Sequence, residues 1–373
     1  LTGTAAANST VTVFDGAKQL GTATANASGA WSYTTGTLAS ASHSFMATAT
    51  DAAGNTSVAS AAQTMTVAAV VPGAPAISSI SPDTGVVGDG ITSATVLTLT
   101  GTAAANSTVT VFDGAKQLGT ATANASGAWS FTTGTLASAG HSFTATATDA
   151  AGNTSVVSAA LNVTVDAVAP GAPAISSISP DTGAAGDHIT SATVLTLAGT
   201  AEANSTVTVF DGAKQLGTAT ANASGAWSYT TGTLANAGHS FTATATDVAG
   251  NTSVASGTLA VTVDATAPNA PIITSDAVVN SNAVLLTGTA EANSTVAVFE
   301  GTTQIGTVTA SANGAWSFTT GPLPSGDHGF TATATDIAGN VSLVSQVIDP
   351  TIGTAGLIES FGSTSLVEVG NNF

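Results

Sequence analysis

The feature that most constrains this chain is that it repeats itself. Its only tryptophans, Trp31, Trp129, Trp227 and Trp316, stand 98, 98 and 89 residues apart, and Phe14, Phe112, Phe210 and Phe299 keep the same spacing. Four copies of one unit therefore fill most of the 373 residues, the last shortened by nine. Proline-bearing joints separate them at Val71–Pro75 (VPGAP), Ala169–Pro173 (APGAP) and Ala267–Pro271 (APNAP). Fixed φ angles and missing donors make such joints stiff, extended connectors. The copies are bounded as 1–71, 72–169, 170–267 and 268–348. Residues 349–373 break the repeat, as the start of a different module would.

Within a copy the apolar residues alternate. In FTATATD, Phe143, Ala145 and Ala147 fall on one side and Thr144, Thr146 and Thr148 on the other. Trp129 shares a face with Phe131, Val109 with Val111, and Leu97 with Leu99. Strict alternation in short runs between turn signals indicates half-buried antiparallel strands. Asp113-Gly114 marks a hairpin. About seven strands per 100 residues predict an all-β chain, a tandem array of immunoglobulin-like β-sandwich domains. The chain has no Cys, so the Cys…Trp…Cys pattern of antibody domains is absent. In the second copy the strands are expected near 74–81, 95–102, 108–112, 117–123, 128–133, 142–148 and 156–165. Leu1 aligns with Leu99, so the first copy begins at its second strand, and the natural protein is expected to continue upstream.

Composition removes several classes of function. The formal net charge is −18 and there is no Arg, so phosphate-rich nucleic acid and anionic membrane surfaces are poor partners. No run of 18 apolar residues exists to insert into a membrane. Without Cys there are no disulfides, thiolate metal sites or thiol nucleophiles.

In a chain this poor in positive charge, one acid recurs in a fixed motif. Asp51, Asp149, Asp247 and Asp336 each open an Asp-x-Ala-Gly-Asn turn after the long alternating strand. Sandwiches strung head to tail bring that turn and the TAxANS loop of one copy to the linker of the copy before. The linker into copy three carries Asp166 and its TAEANS loop Glu202; the linker into copy four carries Asp264 and its loop Glu291. At the joint into copy two, Ala68 and Ala104 replace both acids, leaving Asp149. Three carboxylates gathered without Lys or Arg repel one another unless a cation lies between them. Calcium, which takes six to eight oxygens in irregular geometry, suits such a set. The expected calcium sites are Asp166, Glu202 and Asp247, then Asp264, Glu291 and Asp336; solvated loop acids are the plain alternative. A second cluster, SPDTG…GD, places Asp83 and Asp89 in copy two and Asp181 and Asp187 in copy three. It suits either another ion or a self-capping turn.

The remaining polar residues have plain readings. Asp15, Asp113, Asp211 and Glu300 precede Gly in the hairpin, a turn role. His43, His141, His239 and His328 are read as solvated residues at a strand entry, without a triad. The Trp–Phe pairs face inward as core rather than outward to stack a sugar. No nucleophile has an adjacent base, so no enzyme is expected.

Taken together, DATAP-NAP, SPDTG, LAGTAEANSTVTVFDG, GAWSFTT and FTATATD-x-AGN resemble the bacterial Ig-like repeats of large secreted surface adhesins. The resemblance covers residues 1–348. It implies an extracellular, cell-surface stalk, exported by type I secretion and active in adhesion or biofilm formation. It implies repeats that act as extenders, with calcium at the joints and neighbouring repeats as partners; the matching positions are Asp166, Glu202, Asp247, Asp264, Glu291 and Asp336. Ala68 and Ala104 depart from that pattern at the first joint. At about 40 Å per domain, four copies would reach roughly 150 Å. Two other functions fit the same repeats: a module binding a glycan, a host-cell or neighbouring-cell ligand, or its own kind; or an accessory array of a larger secreted enzyme.

Overall fold

The computed structural model describes residues 1–280 and 282–353, and the elements in them are strands and turns. The chain divides into two compact units: Leu1–Val168 with Val248–Asn251, and Ala169–Asp247 with the chain from Thr252 on.

In the second copy, Ala128–Thr132, Thr98–Thr102 and Ala76–Ser81 form one sheet, in that order. The facing sheet runs Lys116–Thr122, Thr108–Asp113, Ala139–Thr148, Leu161–Val165 and Ile91–Thr92. The third copy repeats both sheets strand for strand. The alternation decides which side chains enter the core: Phe143, Ala145, Ala147, Val109, Val111, Leu97 and Leu99 are fully buried, while the intervening threonines, such as Thr144 and Thr146, are only half-buried. Each buried Leu or Phe contributes about 1.5–3 kcal/mol. Trp129 lies flat over Gly101, where an added Cβ would stand 2.7 Å from the indole and 2.0 Å from the Ala76 carbonyl. Only glycine lets that strand pass between the ring and its neighbour.

Three expectations change. The last strand, drawn over 156–165, forms only at Leu161–Val165. Ahead of it, the hydroxyls of Ser155 and Ser158 accept from the backbone N–H groups of Ala147 and Ala145, replacing ladder carbonyls and turning Val156 and Val157 to solvent. The fourth copy also runs past residue 348, because Thr351–Ile352 pairs with Gly326–Asp327 and buries Ile352 in that copy's core. The tail from 354 lies outside the described residues. In the first copy Thr2–Thr4 pairs with Ala30–Ser32 alone, and Trp31 is only half-buried.

The third change concerns the histidines, which are not solvated strand entries. His43, His239 and His328 are buried and His141 nearly so, each stacked on the Phe two residues on. The Nδ1 of each meets the hairpin acid: Asp15 at 2.5 Å, Asp113 and Asp211 at 2.7 Å, Glu300 at 2.6 Å. Each Nε2 meets a backbone carbonyl, of Ala39, Ala137, Ala235 or Pro324, at 2.9–3.0 Å. A carboxylate and a carbonyl can only accept, so this geometry calls for a proton on both ring nitrogens.

The titration of these groups follows. The Ala39 carbonyl and Asp15 raise His43; Glu300 and the Pro324 carbonyl raise His328. At His141 and His239 burial opposes the charge and is outweighed by the carbonyl and the aspartate. Asp15 is lowered by His43 and Ser44; at Asp113 and Asp211 burial pushes upward and the His and Ser bonds prevail. The histidine contribution to stability is present below the ordinary value of 6.5 and is lost as pH rises through the raised one. The aspartate contribution is present above 3.8 and lost as pH falls through the lowered one. The melting temperature is therefore predicted to fall as pH rises above about 6.5, with the His Hε1 resonances of this set titrating above that value. A flat profile with ordinary midpoints would contradict the double clamp.

Candidate functional site: the joint between repeats

The recurrent acid first organises its own turn. In the second copy Asp149 Oδ1 accepts from the backbone N–H groups of Ala151 and Asn153, both at 2.9 Å, and Oδ2 accepts from Asn153 Nδ2 at 2.8 Å. Asp51 makes the same three bonds to Ala53 and Asn55. Asp336 takes Asn340 N and Nδ2, each at 2.8 Å. Bonds to the charged form lower Asp51 and Asp149, the Asn side chain being the largest favourable cause in both. Asp247 and Asp336 are buried.

The asparagine of the turn, held by the acid at Asn153 and Asn340, also reaches out of its own copy. Asn153 Nδ2 donates to the Ala68 carbonyl at 2.6 Å, Asn251 Nδ2 to the Asp166 carbonyl at 2.7 Å, and Asn340 Nδ2 to the Asp264 carbonyl at 2.7 Å. The acceptor is the linker's backbone, so the bond forms whether the linker residue is Ala or Asp. Pairing acids by sequence alone drew attention away from this Asn. Its signal was nevertheless visible: it stands at the same place in all four turns.

In the second unit, Glu291 is exposed, and its carboxyl is raised by partial burial and then by the charges of Asp336 and Asp264. Asp264 is half-buried and takes Thr266 N at 3.1 Å. Among the described residues no three carboxylates or histidines stand close enough to hold a metal as placed. The charges of Asp336 and Asp264 act on Glu291 through space. The chemistry of these three acids fits calcium, being all oxygen with no cation among them, although both Asp336 oxygens are already engaged by Asn340. Asp166, in the first unit, takes Val168 N at 3.0 Å. Glu202 and Asp247 belong to the second unit, Glu202 exposed and Asp247 buried.

The SPDTG acids make turns. Asp83 and Asp181 accept through Oδ2 from Gly88 and Gly186 at 2.7 Å, and their Oδ1 atoms are buried without a hydrogen-bond partner. Asp89 and Asp187 are exposed and cap Ile91 N and Ile189 N.

The family described as Bacterial Ig-like domain matches residues 72–167, 170–265 and 269–354, and that described as Bacterial Ig domain matches 1–68. The chain belongs to the bacterial Ig-like domain family. It is 32% identical over 288 residues to Exoglucanase B of Cellulomonas fimi, covering 71% of this chain and 25% of that protein, so it spans about a quarter of this relative's length. Among solved structures it is similar to a tetra-tandem repeat in the extending region of a large adhesion protein, at 25% identity over 94% of both chains and a TM-score of 0.37. A structure from a 1.5-MDa bacterial ice-binding adhesin, described for host cell surface retention, is 21% identical, with 73% of this chain and 95% of that chain covered and a TM-score of 0.32.

In this tandem of bacterial Ig-like repeats, the turn predicts a clear mutational effect. Asn340→Ala removes the two side-chain amide bonds, to Asp336 Oδ2 and to the Asp264 carbonyl, and keeps the backbone N–H bond, leaving a buried carboxylate one donor short. Urea unfolding should show a loss of about 1–3 kcal/mol in the fourth repeat. An unchanged midpoint would mean that the asparagine decorates the turn rather than holding it.

Proposed function

We propose that this chain is a non-catalytic extender, the stalk of a cell-surface or secreted bacterial adhesin, whose acidic joints take calcium. The observation that carries the reading is the recurring bond from Asn153, Asn251 and Asn340 to the preceding linker carbonyl at residues 68, 166 and 264. Near-identical units tied by one repeated contact extend reach, whereas copying adds little to chemistry. For calcium, the support is the raised Glu291 carboxyl beside Asp336 and Asp264, with no positive side chain among its causes. A bound calcium ion would supply the positive charge these three carboxylates lack. Asp166, Glu202 and Asp247 carry the same acids in sequence. The residues at the first joint, Ala68 and Ala104 with Asp149, form the weaker set.

A second reading is favoured by one comparison: the match to part of Exoglucanase B suits an accessory array in a larger secreted enzyme. Both readings leave these repeats as spacers. They differ in the module that is spaced.

The test is thermal unfolding of the full chain in millimolar calcium and in EDTA. A ligand of the folded state at 1,000 times its dissociation constant adds about 4 kcal/mol. A raised Glu291 costs stability as pH rises through its titration, because the folded chain then holds a proton more tightly than the unfolded chain. Glu291→Gln should therefore raise the melting temperature in EDTA and shrink the gain from calcium. Superimposable curves with and without calcium would remove calcium from the account.

A further inference from the structure

The Asp-x-Ala-Gly-Asn turn has a second face, and in two copies it is covered. In the second unit Thr182 Oγ1, in the SPDTG loop of copy three, donates to the Ala338 carbonyl in the turn of copy four at 2.5 Å. Ser191 N donates into the same hydroxyl at 2.7 Å, which leaves its proton free to point at Ala338. Gly183, at φ +78°, comes so close that an added Cβ would lie 2.0 Å from the Ile337 carbonyl; one on Gly339 would lie 2.9 Å from Gly183 N. The same contacts recur in the first unit. Thr84 donates to the Ala249 carbonyl at 2.6 Å, and a Cβ on Gly85 would stand 2.1 Å from the Val248 carbonyl.

The other two turns provide a comparison. Ala249 and Ala338, under the loops, are buried, but Ala53 and Ala151 are exposed. An added Cβ on Gly54 or Gly152 would meet nothing within 4 Å. The turn sequences are nearly the same, so the covering loop makes the difference. In copy four Ile272–Val279 pairs with Ala283–Thr289, and the SPDTG segment is gone.

We propose that the Ser-Pro-Asp-Thr-Gly loop is a plug whose partner is the Asp-x-Ala-Gly-Asn turn of another repeat, forming a directional, metal-independent lock. The contact consists of a hydroxyl on a carbonyl and glycine backbone against backbone. No charge takes part in it, so neither chelator nor salt acts on it directly. Copy four accepts the plug and carries no SPDTG segment of its own. The lock is separate from any calcium held by Asp264, Glu291 and Asp336, and the experiment distinguishes the two.

Because the chain has no Cys, Ala223→Cys and Ala312→Cys in the full chain give a unique spin-label pair at equivalent exposed positions of copies three and four. Pulsed EPR in EDTA should give one narrow distance distribution, unchanged by millimolar calcium. Gly183→Ala and Thr182→Val should lose the narrow peak while Thr182→Ser keeps it, with tryptophan fluorescence confirming folded repeats. A broad distribution in EDTA that calcium narrows would overturn the proposal in favour of a metal-held joint. So would a narrow peak that survives both Gly183→Ala and Thr182→Val.

Discussion

The joints of this molecule depend on a carboxylate that faces inward on its own backbone. Asp149, like Asp51, gathers two backbone N–H groups and an Asn amide, and Asp336 holds Asn340 in the same way. An ionised acceptor binds such donors more strongly than a neutral one. The Asn so positioned keeps one amide hydrogen for the preceding linker. Thus one charged group serves two scales, the shape of a five-residue turn and the attachment of that turn to the linker before it.

A second inward-facing charge secures each sandwich. The His–acid pair joins the hairpin to the long strand beside it, with a carbonyl on the far side of the ring and a Phe face against it. With only three Lys and no Arg, histidine supplies much of the positive charge available to this acidic chain. The acids at the last joint have no such partner, and Glu291 registers the repulsion. A carboxylate is thus satisfied in the turn, as at Asp149, and opposed at Glu291, where the neighbouring charges are acids.

Much of the fold was legible in sequence because period-two alternation maps directly onto burial: Phe143, Ala145 and Ala147 entered the core as expected. The last strand was not, because Val156 and Val157 look like strand residues while Ser155 and Ser158 take over the ladder with their hydroxyls. A serine's choice between water and a neighbouring N–H leaves no periodic mark. The histidines were misread for a related reason. His141 and Asp113 lie 28 residues apart, and only strand register brings them to 2.7 Å. At the joint, the acids were visible as a covarying set, but the bonds that form there use backbone carbonyls. Every residue has a carbonyl, so sequence cannot single one out. The Thr-Gly of SPDTG was passed over beside its more conspicuous Asp.

The most direct test of this account is side-chain amide exchange at the asparagines of the turns, followed by NMR on the full chain in EDTA. Asn153, Asn251 and Asn340 each donate to a linker carbonyl, whereas the bonds of the Asn55 amide run to Asp51 within its own turn. The account predicts slow exchange at the first three and fast exchange at Asn55. Equal, fast exchange at all four would mean that the turns do not grip the linkers, and that the joints are held by something else.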